Sequence, residues 1–263
     1  MVTSVLSSDQ LSAIHQLLDR IAERQRSDFG NIVSDVKPDG TLITACDRWS
    51  DQTIVDGLAD IAPGEGVHSE EGSKTVPASR AYWVVDPLDG TTNFLHGLPH
   101  WSVSIALEHK GQVVAGVVHD PIKNELFFAE KGSGAWMNEN RLRVSGRCRM
   151  IEAVFATGLP FAGRADLPAS LRDLGRLLPV CAGVRQSGSA ALDLSYVAAG
   201  RFDGFWERRL NVWDLAAGLI ILREAGGLAS PIDESLDILG DGQIICSNEP
   251  LYETFLAAVR NAA

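Results

Sequence analysis

Two carboxylates three residues apart lie in the run Trp83-Val84-Val85-Asp86-Pro87-Leu88-Asp89-Gly90-Thr91-Thr92-Asn93-Phe94. A short apolar strand ends on the first; Pro87 fixes the next φ, and the second falls just before a glycine and two hydroxyls. At a strand's C-terminal end such a turn can aim two hard oxygen ligands at one point. That suits Mg2+ or Mn2+, which keep water in their shell and complete it with substrate phosphate. The amide N–H groups after Asp89 and the Thr91 hydroxyl are then free to hold phosphate oxygens. Two further acidic features complete the set: Glu70-Glu71 ahead of Gly72, and Asp214 after Trp213 at the head of a helix of small and apolar residues. Taken singly, Asp-Gly is a turn, an Asp opening a helix is an N-cap and Glu-Glu is a solvated face.

The elements that must position these groups follow from hydrophobic periodicity. Leu11, Ile14, Leu17, Leu18 and Ile21 predict a helix over Ser7 to Arg26, with Ser7 and Gln10 as its capping box. A loop from Val36 to Gly40 leads into a strand at Leu42 to Ala45, and a second helix is predicted from Ser50 to about Ala62. Strands follow at Val67, Tyr82 to Val85, Trp101 to Leu107, Val113 to His119 and Glu125 to Ala129, joined by short turns that favour antiparallel neighbours. After Arg143 the order becomes strand (153–156), helix (165–178), strand (183–186), helix (189–199), strand (202–207), helix (214–224), strand (243–247) and helix (249–260), an alternation expected of an α/β layer. No repeat or long linker divides residues 1–143 from 144–263, so a single domain of 1–263 with two layered sub-regions is expected.

Composition narrows the chemistry. With 23 Lys and Arg against 34 Asp and Glu, the formal charge of −11 argues against a nucleic-acid partner, so phosphate handling requires metal ions. Cys46, Cys148, Cys181 and Cys246 form no C-x-x-C pair, and His68, His96 and His100 belong to no ligand-spaced motif. Neither a secretory leader nor a membrane-length apolar run is read, and the expected location is cytoplasmic. The Asp86-x-x-Asp89 spacing is one residue too long for a haloacid-dehalogenase nucleophile motif and would leave Glu70 and Asp214 without roles.

The acidic run, with Thr44-Ala45-Cys46-Asp47, Ser69-Glu70-Glu71-Gly72, Gly188-Ser189-Ala190-Ala191, Trp213-Asp214-Leu215-Ala216-Ala217-Gly218 and the Lys37 loop, resembles the inositol monophosphatase family over nearly the whole chain. The resemblance implies an αβαβα sandwich of alternating helices and mixed sheets, homodimeric, with two to three Mg2+ per site. Mn2+ is a possible substitute, and Li+ and Ca2+ are inhibitors. It places Glu70, Asp86 and the Leu88 carbonyl on a first ion, Asp86, Asp89 and Asp214 on a second, and Glu70 on a weaker third beside a mobile Lys37 loop. Thr91 with Asp47, aided by Glu70, would activate the attacking water, without a phospho-enzyme.

On the substrate side the resemblance implies Asp89, Gly90, Thr91, Gly188, Ser189, Ala190, Glu207 and Asp214, the Glu207 carboxylate reading vicinal hydroxyls. The bland reading makes Gly188-Ser189 a helix start and Glu207 a partner of Arg208 or Arg209. The small phosphate ester expected first is inositol 1-phosphate, with histidinol phosphate or a dual inositol and fructose-1,6-bisphosphate activity as alternatives. Thr92-Asn93 departs from the Lys seen in 3′-phosphoadenosine phosphatases. A regulatory binding protein of the same fold is the non-enzyme alternative.

Overall fold

The computed structural model describes residues 5–38, 40–72, 80–160 and 167–260. Its helices are α1 (Ser8–Asp28), α2 (Ala45–Ile61), α3 (Thr91–Leu95), α4 (Leu167–Leu177), α5 (Ala190–Ala198), α6 (Val212–Glu224), α7 (Ile238–Asp241) and α8 (Glu249–Arg260). The strands before residue 150 are β1 (Ser34–Val36), β2 (Leu42–Thr44), β3 (Gly66–Ser69), β4 (Ala81–Asp89), β5 (Ser102–His109), β6 (Gln112–Asp120), β7 (Glu125–Glu130), β8 (Gly134–Met137) and β9 (Asn140–Arg141). Those after it are β10 (Val154–Thr157), β11 (Gly183–Arg185), β12 (Gly204–Glu207), β13 (Leu228–Ser230) and β14 (Ile244–Ser247).

Strand parity builds the layers. In β4, Trp83 and Val85 face Ile14, Leu18, Ile54 and Leu58 of α1 and α2, whereas Val84 faces Ala191 of α5 and Ala216, Ala217 and Ile220 of α6. In the second sheet, Ala156, Phe205 and Ile244 meet that same helix pair through Leu194, Val197, Leu215 and Leu219. Their neighbours Phe155, Trp206 and Ile245 turn outward onto Leu177 and Phe255, from α4 and α8. The result is αβαβα, with α5 and α6 sandwiched between a seven-stranded sheet and a five-stranded one. A helix buried on every side must be apolar all round. The unbroken buried run Leu215 to Leu222 is therefore a consequence of its central place.

The seven-stranded sheet runs β3-β4-β5-β6-β7-β8-β9 and is antiparallel except for β3 against β4. The five-stranded sheet runs β11-β10-β12-β14-β13, with β10 parallel to both neighbours and β14 antiparallel to both of its own. Several predicted boundaries move. Helix α2 starts at Ala45 rather than Ser50, because Thr44 caps it: its Oγ1 accepts from the Cys46 and Asp47 amides at 3.1 and 3.2 Å, while Asp47 Oδ2 accepts from the Thr44 amide at 2.9 Å. Strand β4 does not end on Asp86 but continues to Asp89. Helix α6 starts at Val212, so Asp214 is its third residue and Asn211 its N-cap. The start predicted for the 165–178 helix lies outside the described residues. β8 and β9, pairing through a tight turn, are four and two residues long, too short to show a period-2 alternation in sequence.

Candidate metal centre and active site

A single backbone irregularity aligns the first two carboxylates. Side chains alternate along a strand, so residues three apart face opposite ways. Here Asp86 pairs with Ser104 and Asp89 with Ser102, three residues opposing two, which is a bulge. The extra residue resets the alternation and turns Asp86 and Asp89 to one face. Pro87, with no N–H to give the ladder, sits in the bulge, and the Leu88 amide donates to Asp86 Oδ1 at 2.9 Å.

Gln25 holds the bulge from below, a role that sequence reasoning missed. Fully buried on α1, it donates from Nε2 to the Pro87 carbonyl at 2.8 Å and to Ser50 Oγ at 3.2 Å. The available signal was a polar residue falling on the stripe of Ile14, Leu18 and Ile21. Beneath the loop, Phe94 meets Trp101 edge-on at 5.1 Å, and Phe29 packs on both rings.

The first turn of α6 supplies the third carboxylate. Asp214 Oδ2 accepts from the Asn211 amide at 2.7 Å, which fixes the rotamer that points the carboxylate at β4. One oxygen each from Asp86, Asp89 and Asp214 lie within 4.8 Å of one another. Burial, together with Glu70, Asp89 and Asp214, raises Asp86 well above the usual carboxylate range. Burial also raises Asp89 to about 6, against the hydrogen bonds it accepts, and Asp214 to about 8, aided by the charge of Asp89. Three clustered carboxylates, with Asp86 and Asp89 buried and Asp214 half-buried, resist joint ionisation and offer hard oxygen donors only, which fits a divalent cation of the Mg2+ type. No histidine or cysteine joins the group among the described residues.

Glu70 stands outside this triplet. The register of β3 on β4 puts Ser69 opposite Val85 and so brings Glu70 beside Asp86, but its Oε1 accepts from Lys37 Nζ at 2.8 Å, and Glu71 accepts from the same ammonium. Burial alone would lower the Lys37 pKa; the two glutamates outweigh it and raise it. Burial pushes Glu71 up to about 7 despite Lys37. Of the loop expected to be mobile, Lys37 is thus held by two ion pairs, and Asp39 lies outside the described residues.

Thr91 opens α3, just after Gly90, whose φ of 100° is a left-handed conformation open to glycine. The Thr91 hydroxyl is not free: it donates to Asp47 Oδ1 at 3.0 Å and lies 3.2 Å from the Leu88 carbonyl. Burial raises Asp47, against the hydrogen bonds from Thr44 and Thr91.

On the opposite wall, Ser189 Oγ and the Ala191 amide both donate to Asp89 Oδ2, at 2.6 and 2.9 Å. Ser189 is buried at 1% exposure, so its hydroxyl serves Asp89 and the N-cap of α5, while Ala190 is buried at its side. The backbone of Gly188 approaches Gly90 closely, and Asn93 Nδ2 ties Ser187 O and His100 O at 2.8 and 2.7 Å. Glu207, half-buried at the end of β12, lies against Gly158, where a Cβ would stand 2.0 Å from the carboxylate. Arg208 pairs with Asp173 of α4, an intramolecular salt bridge, and Arg209 adopts a φ of 60°. The four cysteines are free, three of them buried. No described helix is long and apolar enough to cross a membrane.

The pattern that defines the inositol monophosphatase family matches residues 3–263. The chain belongs to this family. Among its curated relatives, an inositol-1-monophosphatase of Mesorhizobium japonicum is 46% identical over 89% of each chain. The Nus factor SuhB of Escherichia coli is 37% identical over 94% of this chain and 97% of its own. Family members of known structure superpose closely. The extragenic suppressor protein suhB of Bartonella henselae gives a TM-score of 0.92 at 39% identity, covering 97% of this chain and all of that one. The IMPase of Thermotoga maritima gives 0.87 at 35%, covering 95% and 96%.

Proposed function

We propose that this chain is a phosphomonoesterase that hydrolyses a small polyol phosphate, inositol 1-phosphate first, with Mg2+ held by Asp86, Asp89, Asp214 and the Leu88 carbonyl. The observation that carries this reading is the convergence of three carboxylate oxygens within 4.8 Å, next to a Thr91–Asp47 hydrogen bond. Glu70 extends the donor set toward a further ion wherever one displaces Lys37. Mn2+ has the same donor preferences and would substitute. Li+ and Ca2+ would inhibit, as the family resemblance implies; so too a homodimer is the expected assembly. The free thiols suit a cytoplasmic enzyme.

When bound, the divalent cation would neutralise the carboxylates, acidify the attacking water and polarise the phosphoryl group. The residues of the chain carry the proton. Thr91 Oγ1 takes the proton of the attacking water while passing its own to Asp47 Oδ1, whose affinity for it is raised by burial. Direct hydrolysis without a phospho-enzyme is what the family resemblance implies, with Asp86 serving as a metal ligand rather than a nucleophile; Ser189 and the Ala191 amide hold Asp89 Oδ2 in place. Glu207 at the end of β12 would accept hydrogen bonds from the hydroxyls of the alcohol.

The test is phosphate release by purified protein with Mg2+ from inositol 1-phosphate, histidinol phosphate, fructose 1,6-bisphosphate and 3′-phosphoadenosine compounds. A higher kcat/KM for inositol 1-phosphate supports the reading; faster release from histidinol phosphate reverses the order. Relatives named Nus factor favour a second, regulatory role. A cellular phenotype that survives Asp89→Asn, once phosphate release is abolished, would support that role.

A further inference from the structure

A cavity of about 530 Å³ opens on the far side of the five-stranded sheet, between α4, α8 and the segment that follows β13. None of the acidic-centre residues lines it. Four guanidinium groups do: Arg172 and Arg176 of α4, Arg208 after β12, and Arg260 at the end of α8. This concentration of positive charge stands in a chain whose net charge is −11.

The four arginines are not equivalent. Arg260 is saturated by structural bonds: Nε donates to the Ile232 carbonyl and Nη2 to the Pro231 carbonyl, both at 2.8 Å, and Nη1 pairs with Glu234. Arg208 is neutralised by Asp173, itself only 3% exposed. Asp233, the third carboxylate in the wall, accepts from the amide and hydroxyl of Ser235 at 3.0 and 2.8 Å and so caps its own loop. Arg172 and Arg176 have no hydrogen-bond or ion-pair partner among the described residues. They sit one turn apart, about 6 Å along the axis of α4, so both forks can reach a single bound group. Like charges at that spacing disfavour the helix unless an anion lies between them.

We infer that this cavity is a second ligand site, which binds a small molecule through a phosphate or paired carboxylate group clasped by Arg172 and Arg176. Guanidinium forks match such oxyanions bidentately, and a volume of about 530 Å³ accommodates a small metabolite. Arg208 directly follows Glu207 at the end of β12, so one strand end carries a wall residue of this cavity and the substrate-side carboxylate. The inference stands whether or not the acidic centre hydrolyses phosphate esters.

The experiment uses metal-free protein in EDTA, where the acidic centre repels anions, and titrates it with inorganic pyrophosphate while the arginine Nε–Hε NMR resonances are followed. Saturable shifts of the Arg172 and Arg176 signals are expected. R172Q/R176Q should weaken binding about tenfold or more, R172K/R176K less, and D89N not at all. Circular dichroism checks that each variant is folded. Absence of a saturable shift, or equal affinity in the glutamine variant, would overturn the site.

Discussion

The Ser189 hydroxyl donates to Asp89 Oδ2 at 2.6 Å, joining residues 100 positions apart. One belongs to the seven-stranded sheet and the other caps the helix between the sheets, so the acidic centre is assembled only when the two halves of the chain have docked. With one oxygen so held, the Asp89 carboxylate is fixed in the position that brings it within 4.8 Å of carboxylate oxygens of Asp86 and Asp214. Removing this hydroxyl with Ser189→Ala should lower Mg2+ affinity or phosphate release about 10- to 100-fold while leaving the fold intact. A Mg2+ titration of the rate measures it.

The proton route gives a sharper expectation. Thr91→Ala and Asp47→Asn should each lower kcat about 10²- to 10⁴-fold with a smaller change in KM, because each breaks the relay without removing a carboxylate of the triplet. Thr91→Ser should restore much of the rate. Steady-state kinetics on inositol 1-phosphate decides.

Stability should depend on pH with opposite signs in the two metal states. Asp89 is raised to about 6 and Asp214 to about 8, and Asp86 is also raised, so the metal-free folded protein binds more protons than the unfolded chain between about pH 4 and 8. Its stability therefore falls as pH rises through that window. Divalent cation binding releases those protons and strengthens with pH. Melting temperature followed across pH 5 to 8 in EDTA should decline, the decline should reverse with Mg2+, and Asp214→Asn should flatten the EDTA curve.

Gln25 tests the support of the bulge. Gln25→Leu deprives the buried Pro87 carbonyl and Ser50 hydroxyl of a donor, at a cost of about 1 kcal/mol. The unpaired Gln25 Oε1 disappears at the same time and offsets part of the loss. Denaturant unfolding should show the destabilisation, and weaker Mg2+ activation should accompany it.

Gly158→Ala should act on substrate choice. A Cβ there would stand 2.0 Å from the Glu207 carboxylate, so the side chain must move. KM for inositol 1-phosphate should rise about tenfold or more, as a misplaced carboxylate leaves substrate hydroxyls unpaired, while the rate on a simple aryl phosphate stays unchanged.

The sequence by itself determined the layer composition and the identity of the acidic residues, because both are local. Alternation in β4 to β7 and the 3.6-residue period of α1 are set by neighbours a few positions away, and the capping box of Ser7 and Gln10 needs only three residues. The run from Asp86 to Asn93 announced itself by type and spacing. What the spacing did not disclose is how the two carboxylates come to share a face: a separation of three residues in a regular strand turns them to opposite faces, and only the pairing of β4 with β5 introduces the bulge that aligns them. The tertiary structure alone also decided that Asp214 is the third residue of α6, that Glu70 engages Lys37, and that Ser189 is buried beneath Asp89. Each of these depends on which partner is closest after the sheets and helices pack, and burial, which sets the proton affinities, exists only then.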